Sequence, residues 1–314
     1  MAVIDAHCDV LSKLLLHPGA DPYDDQSITA TLSRQIQGDV LLQGYAIYID
    51  DAASPSAFAD ILRSIDLFYE KIVKQPYIVQ VKGKADLLRL RPREQIGVML
   101  TLEGVDALPN DSCYVRLLHR LGVRAIGLTW NHANWAADGA AEPRGGGLTQ
   151  AGRRLVHDCE QLGILVDVSH LSDRGFWDVA GLKRSGVFAS HSNVSDLCPH
   201  PRNLSLEQID HLIATEGMIG LTFVPYFISH NDNVSIRDLL MHIEYICERG
   251  GAACIGFGSD FDGTPRTVAG IEHSGLFNHF REELSRHYRE SDVENWMYKN
   301  WFSFLNKHLP VSNL

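Results

Sequence analysis

The 314-residue sequence lacks a hydrophobic run long enough to cross a bilayer. Its longest apolar stretch, residues 217–229, has about 13 residues, whereas a membrane-spanning helix needs roughly 20. The N-terminus also lacks a basic segment followed by an apolar one, which a secretory signal would require. The sequence therefore predicts a cytoplasmic protein that does not use a membrane as a partner.

Positive charge and paired cysteines are scarce as well. The chain has 28 lysines and arginines against 39 aspartates and glutamates, so its formal net charge is −11 at neutral pH. Proteins that bind nucleic acid usually carry the opposite excess, so nucleic acid is excluded as a partner. The six cysteines include no C-x-x-C pair, which argues against a disulfide framework and a cysteine-type zinc site. The 15 histidines are the compositional feature to follow, because imidazole is the commonest metal ligand.

A glycine-rich phosphate-binding motif is missing near the first predicted strand, which disfavours an open nucleotide-binding sheet. Short, apolar, β-branched segments recur instead, separated by amphipathic helical patterns. Eight such segments can be counted, at residues 3–7, 40–49, 96–102, 124–130, 164–169, 187–190, 218–224 and 254–258. Eight strands alternating with helices predict an α/β fold of the (β/α)8 TIM-barrel type, and we expect residues 1–314 to form one domain.

Polar side chains follow most of these predicted strands. In a barrel the active site lies at the carboxyl ends of the strands, and six of the eight predicted ends offer a histidine, aspartate or glutamate. His7 and Asp9 are two residues apart, so alternation along an extended strand places them on one face. The residues that follow other strands are Glu103, His132, His170, His191 and Asp260. Histidines within helical patterns, such as His157 and His242, are expected on solvent-exposed faces.

Three histidines with carboxylates from separate strands are typical of a metal site built from nitrogen and oxygen ligands, and zinc fits this ligand set best. A carboxylate has two oxygens, so Glu103 can bridge two ions about 3.5 to 4 Å apart. We therefore predict two zinc ions per chain. His7, Asp9 and Glu103 would hold one ion, and Glu103, His170 and His191 would hold the other.

Asp260 lies outside this ligand set, which leaves it free for proton transfer. A hydroxide that bridges the two ions is the expected nucleophile. Each assignment also has a structural alternative, since strand-end carboxylates often cap the following helix and single buried histidines are often only hydrogen-bonded. Independent structural roles at all five ligand positions would be a coincidence, so the metal site is the favoured hypothesis.

The motifs at these positions resemble those of the membrane dipeptidase (renal dipeptidase) family of zinc peptidases. They are I-D-A-H-C-D at 4–9, L-E-G at 102–104, D-V-S-H at 167–170, S-H-S-N at 190–193, H-P-R-N at 200–203 and G-S-D-F-D-G at 258–263. The resemblance implies a barrel of the metal-dependent amidohydrolase type, a binuclear zinc centre and hydrolysis of dipeptides. It also implies that Asp260 is the acid/base carboxylate and that Arg202 binds the substrate's C-terminal carboxylate. The resemblance also leads us to expect a soluble protein of the bacterial type, and it is compatible with a homodimer.

One position departs from the family's pattern. Family members often have a histidine directly after Leu-Thr at the end of the fourth strand, where it polarises the scissile carbonyl, and here that residue is Trp130. His132 follows two residues later and would face the same way in an extended strand. One hypothesis is that His132 partly replaces the polarising group. The alternative is that His132 only packs beneath the following loop, the zinc ions suffice, and Trp130 forms a wall of the substrate pocket.

The sequence is also compatible with two other functions. One is a different binuclear metal-dependent amidohydrolase that acts on a cyclic amide or lactone. Many such enzymes have H-x-H on the first strand, whereas this chain has H-C-D at 7–9, which favours the dipeptidase. The other is a non-catalytic barrel that serves as a binding module or assembly subunit. The complete set of ligands argues against that function.

Overall fold

The computed structural model describes residues 2–49, 57–183 and 186–311. Its strands are β1 (Val3–Cys8), β2 (Val40–Tyr48), β3 (Ile78–Gln80), β4 (Ile96–Glu103), β5 (Val123–Gly127), β6 (Leu165–Asp167), β7 (Val187–Ala189), β8 (Met218–Leu221) and β9 (Ile255–Phe257). Neighbouring strands are parallel, and β2 pairs with both β1 and β4, so the order β1-β2-β4-β5-β6-β7-β8-β9 closes back on β1. The predicted (β/α)8 barrel is confirmed.

One strand was not predicted. The three-residue β3 pairs with the first half of β4, where Ile78 lies opposite Ile96, and it stands outside the closed ring. A run of three residues is too short to show the alternation that identifies a strand in a sequence. The predicted segment 124–130 was also too long at its carboxyl end, because β5 ends at Gly127.

Helices follow the strands around the barrel. The α-helices of the described residues are α1 (Val10–Leu16), α2 (Leu32–Gln37), α3 (Ala57–Leu67), α4 (Lys84–Leu88), α5 (Ser112–Arg120), α6 (Gln150–Leu162), α7 (Asp173–Leu182), α8 (Leu206–Ala214), α9 (Pro225–Ile228), α10 (Ile236–Glu248), α11 (Phe277–Ser285), α12 (Glu290–Glu294) and α13 (Asn300–His308). Short π-helical segments extend α3 and join α12 to α13. None of the helices in these ranges is long and apolar enough to span a membrane.

The amino end of the barrel is closed by apolar side chains. Trp301 and Phe304 of α13 are buried and pack against Phe188 of β7, with ring centroids 5.7 and 5.8 Å from the Phe188 ring. Ile4, Met99 and other inward-facing strand residues belong to the same apolar cluster. Because this end is filled, the polar strand ends described below open only toward the opposite, carboxyl end.

Candidate metal centre

The five predicted ligands converge at the carboxyl end of the barrel. His7 and Asp9 are buried at the end of β1, with His7 Nε2 3.3 Å from Asp9 Oδ2. His170 and His191 follow β6 and β7, across the barrel from β1, and their Nε2 atoms lie 2.8 Å apart. Glu103 is the last residue of β4 and reaches both groups. Residues that are far apart in the sequence are therefore brought into one cluster.

The two carboxylate oxygens of Glu103 face different histidines. Its Oε2 lies 3.5 Å from His7 Nε2. Its Oε1 lies 2.7 Å from His170 Nε2 and 3.4 Å from His191 Nε2. A carboxylate that bridges two ions would present its oxygens in this way, one to each side of the site.

The donor atoms fit a metal ion better than a set of mutual hydrogen bonds. His7 Nε2 is buried and makes no hydrogen bond of good geometry within the described residues, although carboxylate oxygens of Asp9 and Glu103 lie 3.3 and 3.5 Å away. Leaving a buried polar atom unpaired costs about 1–3 kcal/mol, so such an atom requires an explanation. Asp9 stands at the N-cap of α1, yet its side chain makes no capping hydrogen bond, which removes the structural alternative for this carboxylate. Two overlapping groups have all ligand atoms within 4.8 Å of one another: His7, Glu103 and His191, and His7, Asp9 and Asp260.

The electrostatics of the cluster also suit a cation. Burial lowers the pKa of His170 to about 3 and lowers the pKa of His191 well below its ordinary value. Both imidazoles are therefore neutral at physiological pH, which is the form that binds metal. Burial alone would lower the pKa of His7, but the carboxylates of Glu103 and Asp9 raise it well above its ordinary value. This concentration of negative charge favours a cation beside His7.

Strained backbone accompanies two of the site residues. Asp260 and His170 have φ values of 63° and 68°, in the left-handed region that side chains other than glycine rarely adopt. Such a conformation costs about 1–3 kcal/mol, and strained backbone of this kind clusters at active sites.

The Asp260 carboxylate lies at the edge of the ligand cluster, with Oδ1 3.9 Å from His7 Nε2. Burial, reinforced by the nearby Asp9, raises the pKa of Asp260 well above its ordinary value.

The cluster opens into a cavity of about 240 Å³. Trp130 is half-buried on its wall, with its ring centroid 5.1 Å from that of Tyr48 and 6.0 Å from that of His170. Tyr226 and Phe227 of α9 line the same cavity. Aromatic walls around a polar floor are typical of small-molecule sites.

Arg202 lies beside this cavity. Its side chain is buried, its Nη2 donates to the carbonyl oxygen of His191 at 3.1 Å, and its Nε has no partner within the described part of the chain. The guanidinium carbon lies 5.5 Å from the centroid of the Phe227 ring. Arg202 lines a second cavity of about 200 Å³ that shares His170 with the first. Burial lowers the pKa of Arg202 to about 10, which leaves the group charged at neutral pH and suited to bind an anion.

Asn131, and not His132, contacts the cluster. Asn131 Oδ1 lies 2.9 Å from His170 Nδ1, and Asn131 lines the site cavity. His132 is exposed and is not one of the described residues that line either cavity. The expected common orientation of His132 and Trp130 required extended backbone, but β5 ends at Gly127 and strand alternation does not reach this segment.

The cavity walls contain residues that sequence reasoning missed. Tyr48 lines the cavity, is the last residue of β2 and pairs in register with Glu103. Its position at the end of a strand could have identified it as a site residue. Tyr226 and Phe227 have no such signal, because they lie on a four-residue helix outside the barrel pattern. His157 is exposed as predicted, but the same prediction for His242 was wrong. His242 is buried, accepts the N–H of Val194 at 3.1 Å and contacts the Ile228 carbonyl oxygen at 3.0 Å.

A closed parallel barrel whose carboxyl end gathers imidazoles and carboxylates defines a class, the (β/α)8-barrel amidohydrolases. The chain matches the model of the membrane dipeptidase family, peptidase family M19, over residues 1–311. It therefore belongs to this family of metallo-dipeptidases, and the resemblance found in the motifs is confirmed.

Individual relatives agree with this assignment. Dipeptidase tcpJ of Claviceps purpurea is 28% identical over 293 residues, which cover 89% of this chain and 69% of that protein. Dipeptidase aclJ of Aspergillus oryzae is 30% identical over 262 residues, which cover 79% of this chain and 62% of that protein. A metallopeptidase from Rhodobacter sphaeroides, solved with a phosphinate mimic of the dipeptide L-Ala-D-Ala, superimposes with a TM-score of 0.90 at 25% identity and covers 98% of this chain and 99% of that one.

Proposed function

We propose that this protein is a zinc-dependent dipeptidase that hydrolyses dipeptides with a free C-terminal carboxylate. The observation that carries the proposal is the position of Glu103, whose two oxygens face His7 on one side and the pair His170 and His191 on the other. The structural likeness to a metallopeptidase that binds a dipeptide mimic supports the substrate class. We propose further that residues 1–314 act as one catalytic domain.

We propose the ligand sets that the sequence predicts, and the distances from Glu103 to the three histidines support them. His7, Asp9 and Glu103 would hold one zinc ion, and Glu103, His170 and His191 would hold a second. When bound, two zinc ions supply an activated water as nucleophile at neutral pH and an electrophile for the scissile carbonyl. The chain's own residues must then handle the proton and the substrate.

Asp260 is the residue proposed to transfer the proton. It is within 3.9 Å of His7 Nε2 and lines the cavity, so its carboxylate can reach a water at the ligand cluster. It would accept the proton of the attacking water and deliver it to the leaving amine. The strained backbone at Asp260 is held by a hydrogen bond from its N–H to the His7 carbonyl oxygen, 3.2 Å long, which fixes the position of the carboxylate.

Arg202 and Trp130 are the residues proposed to bind substrate. A guanidinium presents a planar fork that matches a carboxylate, and the unpartnered Nε of Arg202 supplies a donor for it. Trp130 would form a wall that excludes water from the scissile bond. The exposed position of His132 gives no support to a polarising role, so we propose that the zinc ions suffice for that step.

A panel of substrates tests the proposal against its alternative. The wild-type protein should hydrolyse free dipeptides and leave cyclic amides and lactones intact, measured as release of free amino acids or ring-opened product. Preferred turnover of a cyclic amide or lactone would favour the other amidohydrolase function. A protein that binds zinc yet hydrolyses none of these compounds would favour the non-catalytic barrel.

A further inference from the structure

Two buried aspartates occupy equivalent positions on opposite sides of the barrel and are not among the proposed ligands. Asp5 lies in β1 and pairs in register with Phe257 of β9. Asp167 is the last residue of β6 and pairs in register with Phe188 of β7. Both side chains are buried, so their oxygens need hydrogen-bond donors from the protein.

Each aspartate obtains these donors from a serine that lies two residues beyond its register partner. Asp5 Oδ1 accepts the N–H of Ser259 at 2.8 Å, and Asp5 Oδ2 accepts the Ser259 hydroxyl at 2.7 Å. Asp167 Oδ1 accepts the N–H of Ser190 at 2.9 Å, and Asp167 Oδ2 accepts the Ser190 hydroxyl. In both cases Oδ1 also accepts the backbone N–H of the residue two positions further along the chain. We call each aspartate with its serine a carboxylate–serine clamp.

In each clamp the serine comes immediately before a site residue. Ser259 precedes Asp260, and Ser190 precedes His191. The second clamp also reaches the imidazole ring, because Ser190 Oγ lies 2.7 Å from His191 Nδ1. The Ser190 hydroxyl donates its single hydrogen to the Asp167 carboxylate, which only accepts. Ser190 Oγ must therefore accept a hydrogen from Nδ1, which places the ring proton on Nδ1 and leaves Nε2 as a free lone pair.

The first clamp works differently. The Ser259 hydroxyl oxygen lies 3.1 Å from the carbonyl oxygen of His7 and accepts the N–H of Phe261 at 3.1 Å. Beyond Asp5, these contacts of the hydroxyl are with backbone groups and not with an imidazole ring. The first clamp therefore contacts His7 only through its backbone, whereas the second contacts the imidazole ring of a proposed ligand. His191 Nε2, the atom left unprotonated, points at Glu103 Oε1 at 3.4 Å.

We propose that Asp167 and Ser190 are positioning residues that fix the tautomer and ring orientation of His191 for binding one of the two metal ions. The inference rests on the proposed zinc site. Partners that hold the second nitrogen of a metal-binding histidine raise metal affinity, and their loss typically weakens it about 10- to 100-fold. Loss of these partners should weaken the binding of the ion held by Glu103, His170 and His191 more than the binding of the ion beside His7.

Ser190→Ala tests this inference through zinc content rather than activity. At a free zinc concentration where the wild-type protein holds two ions, the variant should retain about one, with an affinity for the other that is about 10- to 100-fold lower in chelator competition. Ser190→Thr keeps the hydroxyl and should restore the second ion. Ser192→Ala is the matched control on the other side of His191, since the Ser192 hydroxyl is buried and has no hydrogen-bond partner in the described ranges.

The possible results separate this inference from the proposed function. A wild-type protein without zinc affinity would contradict the proposed function itself. A wild-type protein that binds two ions, together with a Ser190→Ala protein that binds both with equal affinity, would overturn only the positioning role. Circular dichroism shows whether the variant folds. If it does not, Asp167→Asn takes its place, and unchanged affinity for both ions in that variant would overturn the inference equally.

Discussion

Replacing Arg202 with alanine tests how the site recognises its substrate. The residue is only 5% exposed and its Nε has no partner among the described residues, so a bound carboxylate would form a desolvated charge pair with it. Removing one partner of such a pair costs roughly 2–5 kcal/mol. At ~1.4 kcal/mol per tenfold change, this loss equals about 1.5 to 3.5 decades in kcat/KM. We therefore expect Arg202→Ala to lose most of its activity on free dipeptides.

The assay compares a free dipeptide with its C-terminal amide. The wild-type protein should cleave the amide poorly, because Arg202 would have no anion to bind, and Arg202→Ala should no longer distinguish the two substrates. Arg202→Lys keeps the charge but lacks the planar fork, so its kcat/KM should lie between those of the wild type and the alanine variant. Zinc content must be measured in parallel, because Arg202 also donates a hydrogen bond to the His191 carbonyl oxygen.

Two results would refute this reasoning. Equal turnover of free and amidated dipeptides by the wild-type protein would show that no carboxylate is recognised. A loss of zinc in Arg202→Lys that matches its loss of activity would show that Arg202 acts by supporting the ligands instead of binding the substrate.

Three further substitutions, together with one control substitution, address the other proposed roles. Glu103→Ala should abolish dipeptide hydrolysis and reduce bound zinc, because both ions are proposed to share this residue. His157→Ala, at an exposed helix position, is the control and should change neither quantity. Similar behaviour of the two variants would mean that the site is misplaced. Asp260→Asn should retain zinc but lower kcat about 10²–10⁴-fold, the usual contribution of a positioned proton-transfer group, and an unchanged kcat would exclude the role. His132→Gln should lower kcat less than about threefold, whereas a loss near 10²-fold, typical of a missing oxyanion donor, would restore the polarising role to His132.

The positions of the proposed ligands could be predicted because the barrel itself determines them. Apolar runs identify strands, and a polar residue at the end of a buried strand or shortly after it must lie at the carboxyl end of the barrel. His7 and Glu103 lie at the ends of their strands, and His170 and His191 follow theirs by two or three residues. The structure brings these four side chains together. The rule needs only the local sequence and the closure of the sheet.

Other features depend on information that local patterns do not contain. The segment after Gly127 leaves the extended conformation, so alternation placed His132 incorrectly relative to Trp130. The clamp between Asp167 and Ser190 depends on strand register, which no single segment specifies. Solvent exposure was predicted for His242 because the pattern of its helix does not reveal the buried backbone groups of Val194 and Ile228 that the imidazole contacts.

The most direct test of the central claim is a titration of metal-free protein with zinc. Protein stripped with a chelator should have no dipeptidase activity, and activity should return with added zinc and reach its plateau at two equivalents per chain, with bound zinc measured by elemental analysis of the same samples. Hydrolysis of dipeptides at the full rate by protein that contains no transition metal, in the continued presence of chelator, would contradict the account.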